Sequence, residues 1–430
     1  MVDPHLPEEH DKNKKEAEEI RGDTIGNTAY SESYVLNVLL KLNTLEYLDE
    51  DNLMEYTDNE LCVLWDMTAE GDVTEFLVSQ NVMQIFCDVL KVNYSARLTE
   101  VIIGTMANMC IHKIAVEKVI SSPPIRKFVC NYISCDDSLV ILQVMKFIYA
   151  NIYQDHIYVT SWLHFMIDND FVHKISHILT NSLNENLLMQ TFETINCVCS
   201  AVTTHLTTSN LFKQTFVNKD FIVATLVAFE EMTRMFNESG DEHLERCELL
   251  FLSVHAVVAS FDKKQSSVYQ DHLPNVLKVV NTILTKYMQT NNEAIVDVIE
   301  SITTALPIFH DPNLKESQNI TLNLLQLWKK VHFCYLDKLN NTDSDDSYNL
   351  DKDLEDLLPQ YFARVFDPVV ISIHQLLLTL GNLNVEEILF LSRKIKELII
   401  PEESAEARKM QIPPYYAKVA ILLDSIIDNL

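Results

Sequence analysis

The chain has 430 residues, in which 33 lysines and arginines stand against 62 aspartates and glutamates, so its formal net charge is −29. This length allows one large domain or roughly two to three ordinary domains, with a sizeable core. The sequence contains 6 glycines. Such scarcity nearly excludes β-sandwiches, propellers, Rossmann folds and P-loop folds, because these need turns with positive φ or glycine-rich phosphate loops.

The acidic balance argues against partners that carry fixed negative charge, so we expect no nucleic acid and no membrane partner. We expect protein or peptide partners instead, which would be basic where they are charged. An acidic surface that serves only solubility explains the composition equally well.

The cysteines and the first residues favour an intracellular protein. The 9 cysteines are scattered and form no CxxC pair, so neither a zinc knuckle nor a redox motif is indicated. Residues 1–15 are polar and charged, and no uncharged apolar stretch approaches the length of about 18 residues that a membrane span needs. We expect reduced thiols.

The chain begins with a segment, residues 1–24, in which charged residues outnumber apolar ones, and this composition predicts a disordered tail. From about Ser33, apolar residues recur at the three- and four-residue spacing of helices. Thr57 followed by Glu60 predicts a capping box that opens the second helix. Prolines lie where these patterns break, and no strong strand alternation occurs, so the predicted class is all-α.

Helical segments repeat along the chain. Three long, largely apolar segments each carry a late asparagine, at Asn108, Asn151 and Asn196, with spacings of 43 and 45 residues. A period of roughly 40–47 residues is typical of helical repeats of the HEAT and armadillo type. We therefore predict an armadillo/HEAT-like helical solenoid over residues 25–338, because stacking covers such wide apolar faces.

Two further regions follow the predicted repeats. Residues 339–352 form a polar acidic run, which predicts a flexible loop. Apolar helical patterns resume over residues 353–430, which we predict to be C-terminal capping helices.

The asparagines also suggest a peptide-binding groove. In armadillo proteins, asparagines on the last helix of each repeat can hold an extended peptide, because a carboxamide both donates and accepts hydrogen bonds. An aromatic residue one turn earlier would wall such a groove. The candidate groove residues are Asn108, Asn151, Asn196, Phe147 and Phe192. Gly104 takes the aromatic position before Asn108, and the asparagines could equally cap local backbone or face water.

Catalytic and metal-binding patterns are weak. His173 and His177 share one helix face, but no third ligand stands nearby, so we expect no metal site and no cofactor. Cys197 and Cys199 fit a helix core. No nucleophile, Walker or kinase signature is present, so we predict no catalytic residue and no enzyme.

A local excess of basic residues stands out in this acidic chain. Between Lys91 and Lys127 there are six lysines and arginines against two glutamates. The run favours either a recognition patch for an acidic segment or a solvated edge of the repeats. Nearby in sequence, Trp65 fits a core anchor between the first helices.

Five segments near the N-terminus carry a resemblance to a known family. These are residues 23–31 (DTIGNTAYS), 59–67 (NELCVLWDM), 72–77 (DVTEFL), 97–100 (RLTE) and 103–109 (IGTMANM). In combination they resemble the serum amyloid A-like 1 family. The resemblance implies an armadillo-like intracellular protein that is nuclear and linked to cell proliferation, with no enzymatic activity.

The most consistent function is a protein–protein interaction scaffold or adaptor. The alternative is a transport-receptor-like carrier that binds a basic extended peptide in its concave groove. The sequence contains no lysine-rich import run, so the nucleus is expected from the resemblance, and residence in the cytoplasm stays an alternative.

Overall fold

The computed structural model describes residues 23–309 apart from 43–44, 46–49, 93–94, 206–207, 240, 263–266 and 290–294, together with a few positions between 314 and 323. All regular secondary structure in this part of the chain is helical, so the all-α prediction is confirmed there. The chain divides into two compact units, Met1–Lys174 with Ser182–Thr208, and Ile175–Asn181 with Ser209–Leu430.

The first helices of the first unit are α1 (Glu32–Leu42), α2 (Glu50–Tyr56) and α3 (Cys62–Met67), and a π-helical turn (Thr57–Leu61) joins the last two. The predicted capping box at Thr57 is wrong. Tyr56 already has helical angles, with φ −61° and ψ −45°, so the helical run continues through Thr57. The Thr57 hydroxyl donates to the carbonyl oxygen of Leu53, 2.7 Å away.

Three-helix repeats follow. The first repeat comprises α4 (Gly71–Ser79), α5 (Val82–Val92) and α6 (Ala96–Met109). The second repeat comprises α7 (Lys113–Ser121), α8 (Pro123–Asn131) and α9 (Ser138–Tyr153). The third repeat comprises α10 (Val159–Asp168), α11 (Phe171–Asn181) and α12 (Glu185–Thr204). Equivalent helices of the first two repeats pack against each other, α4 on α7, α5 on α8 and α6 on α9, and α9 packs on α12. This stacking confirms a helical solenoid in the first unit.

Hydrogen bonds between repeats fix the register of the stack. Their partners are 42 to 49 residues apart, close to the predicted spacings of 43 and 45. The bonds run from Asn108 Nδ2 to Trp65 O, His112 Nε2 to Ala69 O, the Tyr132 hydroxyl to Leu90 O, Asn184 Nδ2 to Ser138 Oγ, and the Thr194 hydroxyl to Met145 O. The bonds near Ser138 and Met145 both join α9 to α12, so these two helices run parallel.

The long third helix of each repeat begins at a polar cap. Ser95 Oγ accepts from the amide of Leu98 at 3.4 Å, and Asn184 Oδ1 accepts from Leu187 at 3.0 Å. Asp137 Oδ1 accepts two amides at the start of α9. Short polar side chains satisfy helix N-termini in this way, so the start of each long helix is fixed by local sequence.

The second unit continues with α13 (Ser209–Phe216), α14 (Lys219–Ser239), α15 (Asp241–Phe261), α16 (Leu273–Gln289) and α17 (Ile295–Phe309). Helix α15 packs against α13, α14 and α17. Its core includes Phe251 and His255, and the two rings lie 4.2 Å apart at their centroids.

Several predicted segments lie outside the described residues. They are residues 1–22 of the predicted tail, the acidic run 339–352 and the capping helices of 353–430. Their boundaries stay predictions.

Candidate functional site

The segments that carry the family resemblance contact one another. Asp23 accepts hydrogen bonds from the hydroxyl of Ser31 and from the amide of Ser33. The backbone amide of Asn27 donates to Asp72 Oδ2 at 2.7 Å. The segment 23–31 is therefore held against the N-terminal turn of α4, which begins the DVTEFL segment.

Trp65 of α3 joins the second segment to the fifth. Asn108 Nδ2 donates to the Trp65 carbonyl at 3.4 Å. The indole lies on Gly104, where a β-carbon would come within 2.4 Å of Trp65 Cζ2. This contact explains the glycine that replaces the aromatic residue expected before Asn108.

Arg97 of the RLTE segment completes these contacts. Its guanidinium bonds Asp58 and Glu100, each at 2.9 Å, and donates to the Cys62 sulfur at 3.4 Å. The motif residues are thus used in packing and in hydrogen bonds between helices. The motif pattern is therefore explained by the contacts that join the first helices of the stack.

The predicted groove asparagines have different surroundings. Asn151 is 0% exposed, and its Nδ2 donates to the Phe147 carbonyl of its own helix at 2.8 Å. The Asn151 Oδ1 is buried and has no hydrogen-bond partner among the described residues. Asn108 and Asn196 are half-buried. The three asparagines therefore recur with the period of the repeats, and the side chain of Asn151 is buried in the core.

The two predicted wall aromatics are also buried. Phe147 and Phe192 are fully buried in the core, and Phe147 packs edge-on against Trp162 at a centroid distance of 6.3 Å. The peptide-groove hypothesis stays a prediction, but the burial of Phe147, Phe192 and Asn151 disfavours it in this conformation.

The histidines and cysteines that the sequence singled out are buried in the core or have no further metal ligands around them among the described residues. His173 and His177 lie on α11, and among the described residues no group of three histidine, cysteine or acidic side chains is placed to hold a metal ion. Cys197 and Cys199 are buried, which confirms their predicted core placement, and burial raises the pKa of the Cys197 thiol to about 12.

Several basic residues of the run 91–127 are neutralised by neighbouring carboxylates. Lys91 pairs with Asp88 at 2.7 Å, and Lys113 pairs with Asp155 at 3.7 Å. Arg97 pairs with two acids, as described above. Arg126 differs, since no carboxylate of the described residues forms an ion pair with it, although it is 8% exposed.

Arg126 lines an open cleft of about 700 Å³ between α8 and α10, which we call the arginine cleft. Its lining comprises Pro123, Arg126, Lys127, Ile157, Tyr158, Thr160, Ser161, His164, Phe165, Asp168 and Asn169. The sequence placed Arg126 in a basic run, but nothing in the sequence distinguished it from the other lysines and arginines of that run.

The guanidinium is held by rings and by one hydroxyl. Its carbon lies 5.3 Å from the Trp162 ring centre and 4.9 Å from that of Phe165. Nη1 donates to Ser161 Oγ at 2.8 Å, while the buried Nε has no acceptor among the described residues. Burial lowers the pKa of Arg126 because desolvation disfavours the charged form.

Exposed apolar side chains lie near the ends of successive long helices, and one of them, Ile157, lines the arginine cleft. Ile111 follows α6 and Ile114 lies in the first turn of α7, while Tyr153 ends α9 and Ile157 lies in the short 3-10 turn that follows it. All four are exposed. The ion pair of Lys113 with Asp155 brings these two chain segments together. We call these four residues the apolar edge. Ile157 belongs to both surfaces.

Comparison with known proteins supports the family resemblance. The chain is similar to Protein SAAL1 of Homo sapiens, at 28% identity over 188 residues, which are 41% of this chain and 39% of that protein. Protein SAAL1 of Mus musculus is 25% identical over 187 residues, with the same coverage. Protein saal1 of Danio rerio is 32% identical over 117 residues, which are 25% of this chain and 24% of that protein.

The matches thus span about two fifths or less of the length of these curated relatives, and they confirm the resemblance to the serum amyloid A-like 1 family. No protein-family model matches the chain.

Two crystal structures of engineered proteins also align with the chain, both at 11% identity. The first has a TM-score of 0.42 and covers 64% of this chain and 96% of the engineered one. The second has a TM-score of 0.36 and covers 91% and 99%. Among the described helices, none has the length and apolar character needed to cross a membrane.

Proposed function

We propose that this chain is a non-enzymatic interaction scaffold that binds a partner protein along its first unit. The observation that carries the proposal is the apolar edge. Exposed clusters of large apolar side chains on soluble proteins mark interaction sites more often than isolated ones do. Here they recur near the ends of the long helices of consecutive repeats, and Ile157 also lines an open cleft.

The similarity to Protein SAAL1 supports the family and leaves the activity open. Nuclear residence and a link to cell proliferation, which the resemblance implies, are part of the proposal. So are the absence of catalysis and the choice of a protein partner. The alternative, a carrier of basic extended peptides, gains no support from the buried Asn151 and Phe147.

The test compares three forms of the full chain in quantitative affinity capture from cell extract. They are the wild type, Ile111→Ser with Tyr153→Ser, and the control Leu183→Ser, which changes an exposed leucine outside the apolar edge. Unchanged helical circular dichroism would establish that each form is folded.

We expect the wild type and the control to retain one set of proteins that the edge variant loses. Equal retention by all three forms would show that the apolar edge is not the binding surface. A nuclease treatment during capture would show whether the retained proteins are bound directly or through nucleic acid.

A further inference from the structure

No carboxylate in the described part of the first unit compensates the charge of Arg126. Arginine is rarely buried to this degree without a carboxylate partner, because the desolvation of the charge is costly. Arg126 is 8% exposed, and its polar contact is the Ser161 hydroxyl at 2.8 Å. The Trp162 and Phe165 rings compensate the charge in part through cation–π attraction.

The rings also orient the guanidinium. A guanidinium that is held between rings and anchored at Nη1 keeps its remaining N–H donors in a fixed direction. Because the guanidinium is planar, paired N–H donors match the two oxygens of a carboxylate. Since Arg126 lines the arginine cleft, an anion that enters from solvent can reach this side chain. The cleft is therefore preorganised to receive an anion.

The cleft lining favours one negative charge over two. Lys127 adds a second cation to Arg126, and Asp168 supplies a carboxylate. A singly charged group balances this set, whereas a dianionic phosphate would meet repulsion from Asp168. The chain as a whole carries −29, which further disfavours a ligand with a high negative charge.

The neighbouring residues favour a peptide over a small molecule. The cleft is open, and Ile157 and Tyr158 lie in its wall. Ile157 also belongs to the apolar edge, so a chain bound along that edge would pass the cleft. We propose that Arg126 binds the carboxylate of an aspartate or glutamate in an acidic peptide segment of the partner protein.

This inference rests on the proposed function in taking the ligand to be part of a protein. It differs from the expectation of basic partners, which came from the total charge. The local charge at this cleft has the opposite sign to the net charge of the chain.

The experiment measures binding of the full chain to short peptides. Arrayed peptides carry a central glutamate, glutamine or phosphoserine with randomised flanks, and the best sequences are then measured in solution by fluorescence anisotropy. Acetyl-glutamate amide is the small-molecule arm. We expect wild type to prefer glutamate-centred peptides over the glutamine series.

Three variants assign the preference to the cleft. Arg126→Met should weaken binding roughly tenfold to a hundredfold, the typical effect of losing a charge-assisted hydrogen bond. Thr160→Asp places a carboxylate at an exposed position of the cleft lining, away from the core. This carboxylate should repel the peptide's glutamate and abolish binding. Lys118→Met removes a nearby cation that does not line the cleft, and it should bind like wild type.

Several results would overturn the inference. The inference is wrong if the chain shows no preference for glutamate or selects phosphoserine alone. It is also wrong if Arg126→Met and Thr160→Asp bind the peptides like wild type. Equal binding of acetyl-glutamate amide would show that the ligand is a small carboxylate. If Ile111→Ser with Tyr153→Ser leaves protein capture unchanged while Thr160→Asp abolishes glutamate binding, the apolar edge fails and the cleft assignment stands.

The thermal midpoint of Arg126→Met separates binding from structure. An apolar side chain of similar length relieves a buried unpaired charge, so we expect the midpoint to equal or exceed that of wild type. A lower midpoint together with unchanged glutamate preference would show that Arg126 serves the fold alone.

Discussion

The indole of Trp65 lies directly on the α-carbon of Gly104, so that a β-carbon at position 104 would come within 2.4 Å of Trp65 Cζ2. This distance is far shorter than any van der Waals contact. Since Gly104 is in the interior of α6, where glycine is unfavourable by about 1 kcal/mol, its presence is explained by the indole that occupies its side-chain space.

Gly104→Ala should therefore destabilise the protein, although alanine favours helices. We expect a loss of about 1–3 kcal/mol in the free energy of unfolding, the usual range for an overpacked core, measured by urea denaturation. Gly71→Ala is the matched control, because its β-carbon would meet His112 at an ordinary 3.6 Å. When Trp65→Leu is already present, Gly104→Ala should cost less unfolding free energy than it does in the wild type. If the effects of the two substitutions simply add, the contact between Trp65 and Gly104 is contradicted.

A second prediction concerns the N-terminal segment 23–31 and α4. Asp72 Oδ2 accepts the Asn27 amide at 2.7 Å, and Gly26, with φ +57°, lies against the same carboxylate. Asp72→Ala removes this acceptor and should weaken the docked segment by about 1–3 kcal/mol. Amide hydrogen exchange should then be faster at Thr28, whose amide donates to Ile25 O.

Glu75→Ala is the control for this change, since Glu75 is an exposed acid on the same helix. Its exchange pattern at 23–31 should match that of wild type. Unchanged exchange in Asp72→Ala would show that other contacts hold the segment.

The repeat period was predictable, but the role of the asparagines was not. The spacing from Asn108 to Asn151 gave a period of 43 residues, and the same offset separates Asn108 from its acceptor at Trp65. The three long apolar segments predicted to carry Asn108, Asn151 and Asn196 are indeed the long helices α6, α9 and α12. Periodicity and short polar caps are local features that the sequence carries directly.

Burial depends on neighbours that the local pattern does not contain. Phe147 and Asn151 lie one turn apart on α9, and both are buried because α6 and α12 cover that helix from two sides. Some partners of the basic run are also distant in sequence; Arg97 bonds Asp58 across 39 residues. Which basic residue of the run is buried without a carboxylate partner is therefore set by the tertiary structure.

A third prediction concerns pH and the second unit. His255 is 1% exposed, and its ring nitrogens contact the Tyr269 hydroxyl at 2.9 Å and the Thr225 hydroxyl at 3.2 Å. Burial lowers the pKa of His255 from 6.5 to about 3. In the unfolded chain the imidazole protonates near its ordinary pKa, whereas in the fold it stays neutral.

The contribution of His255 to stability is therefore fully present above about pH 6.5 and falls as the pH drops toward 3. Protonation of the unfolded state below its pKa costs the fold up to about 1.4 kcal/mol per pH unit. Urea denaturation of the full chain between pH 7.5 and pH 5.5 should show a shallower pH dependence of the unfolding free energy in His255→Gln than in wild type. Equal slopes would contradict a neutral buried imidazole.

A final prediction follows from the pair of Glu248 and Lys286, which joins α15 to α16. Glu248 is 5% exposed, and Lys286 Nζ lies 2.8 Å from its carboxylate. Burial raises the pKa of Glu248 in spite of this partner, so the carboxylate depends on the lysine to stay charged. Lys286→Met should cost about 2 kcal/mol of unfolding free energy at neutral pH, because it leaves a buried charge without compensation.

Adding Glu248→Gln to Lys286→Met should restore most of the loss, since the double variant buries no charge. Lys278→Met, which changes an exposed lysine on the same helix, should leave stability within about 0.5 kcal/mol of wild type. If the double variant were no more stable than Lys286→Met alone, the loss would come from the packing of the lysine stem. Recovery would show that charge compensation is what Lys286 contributes to α15 and α16.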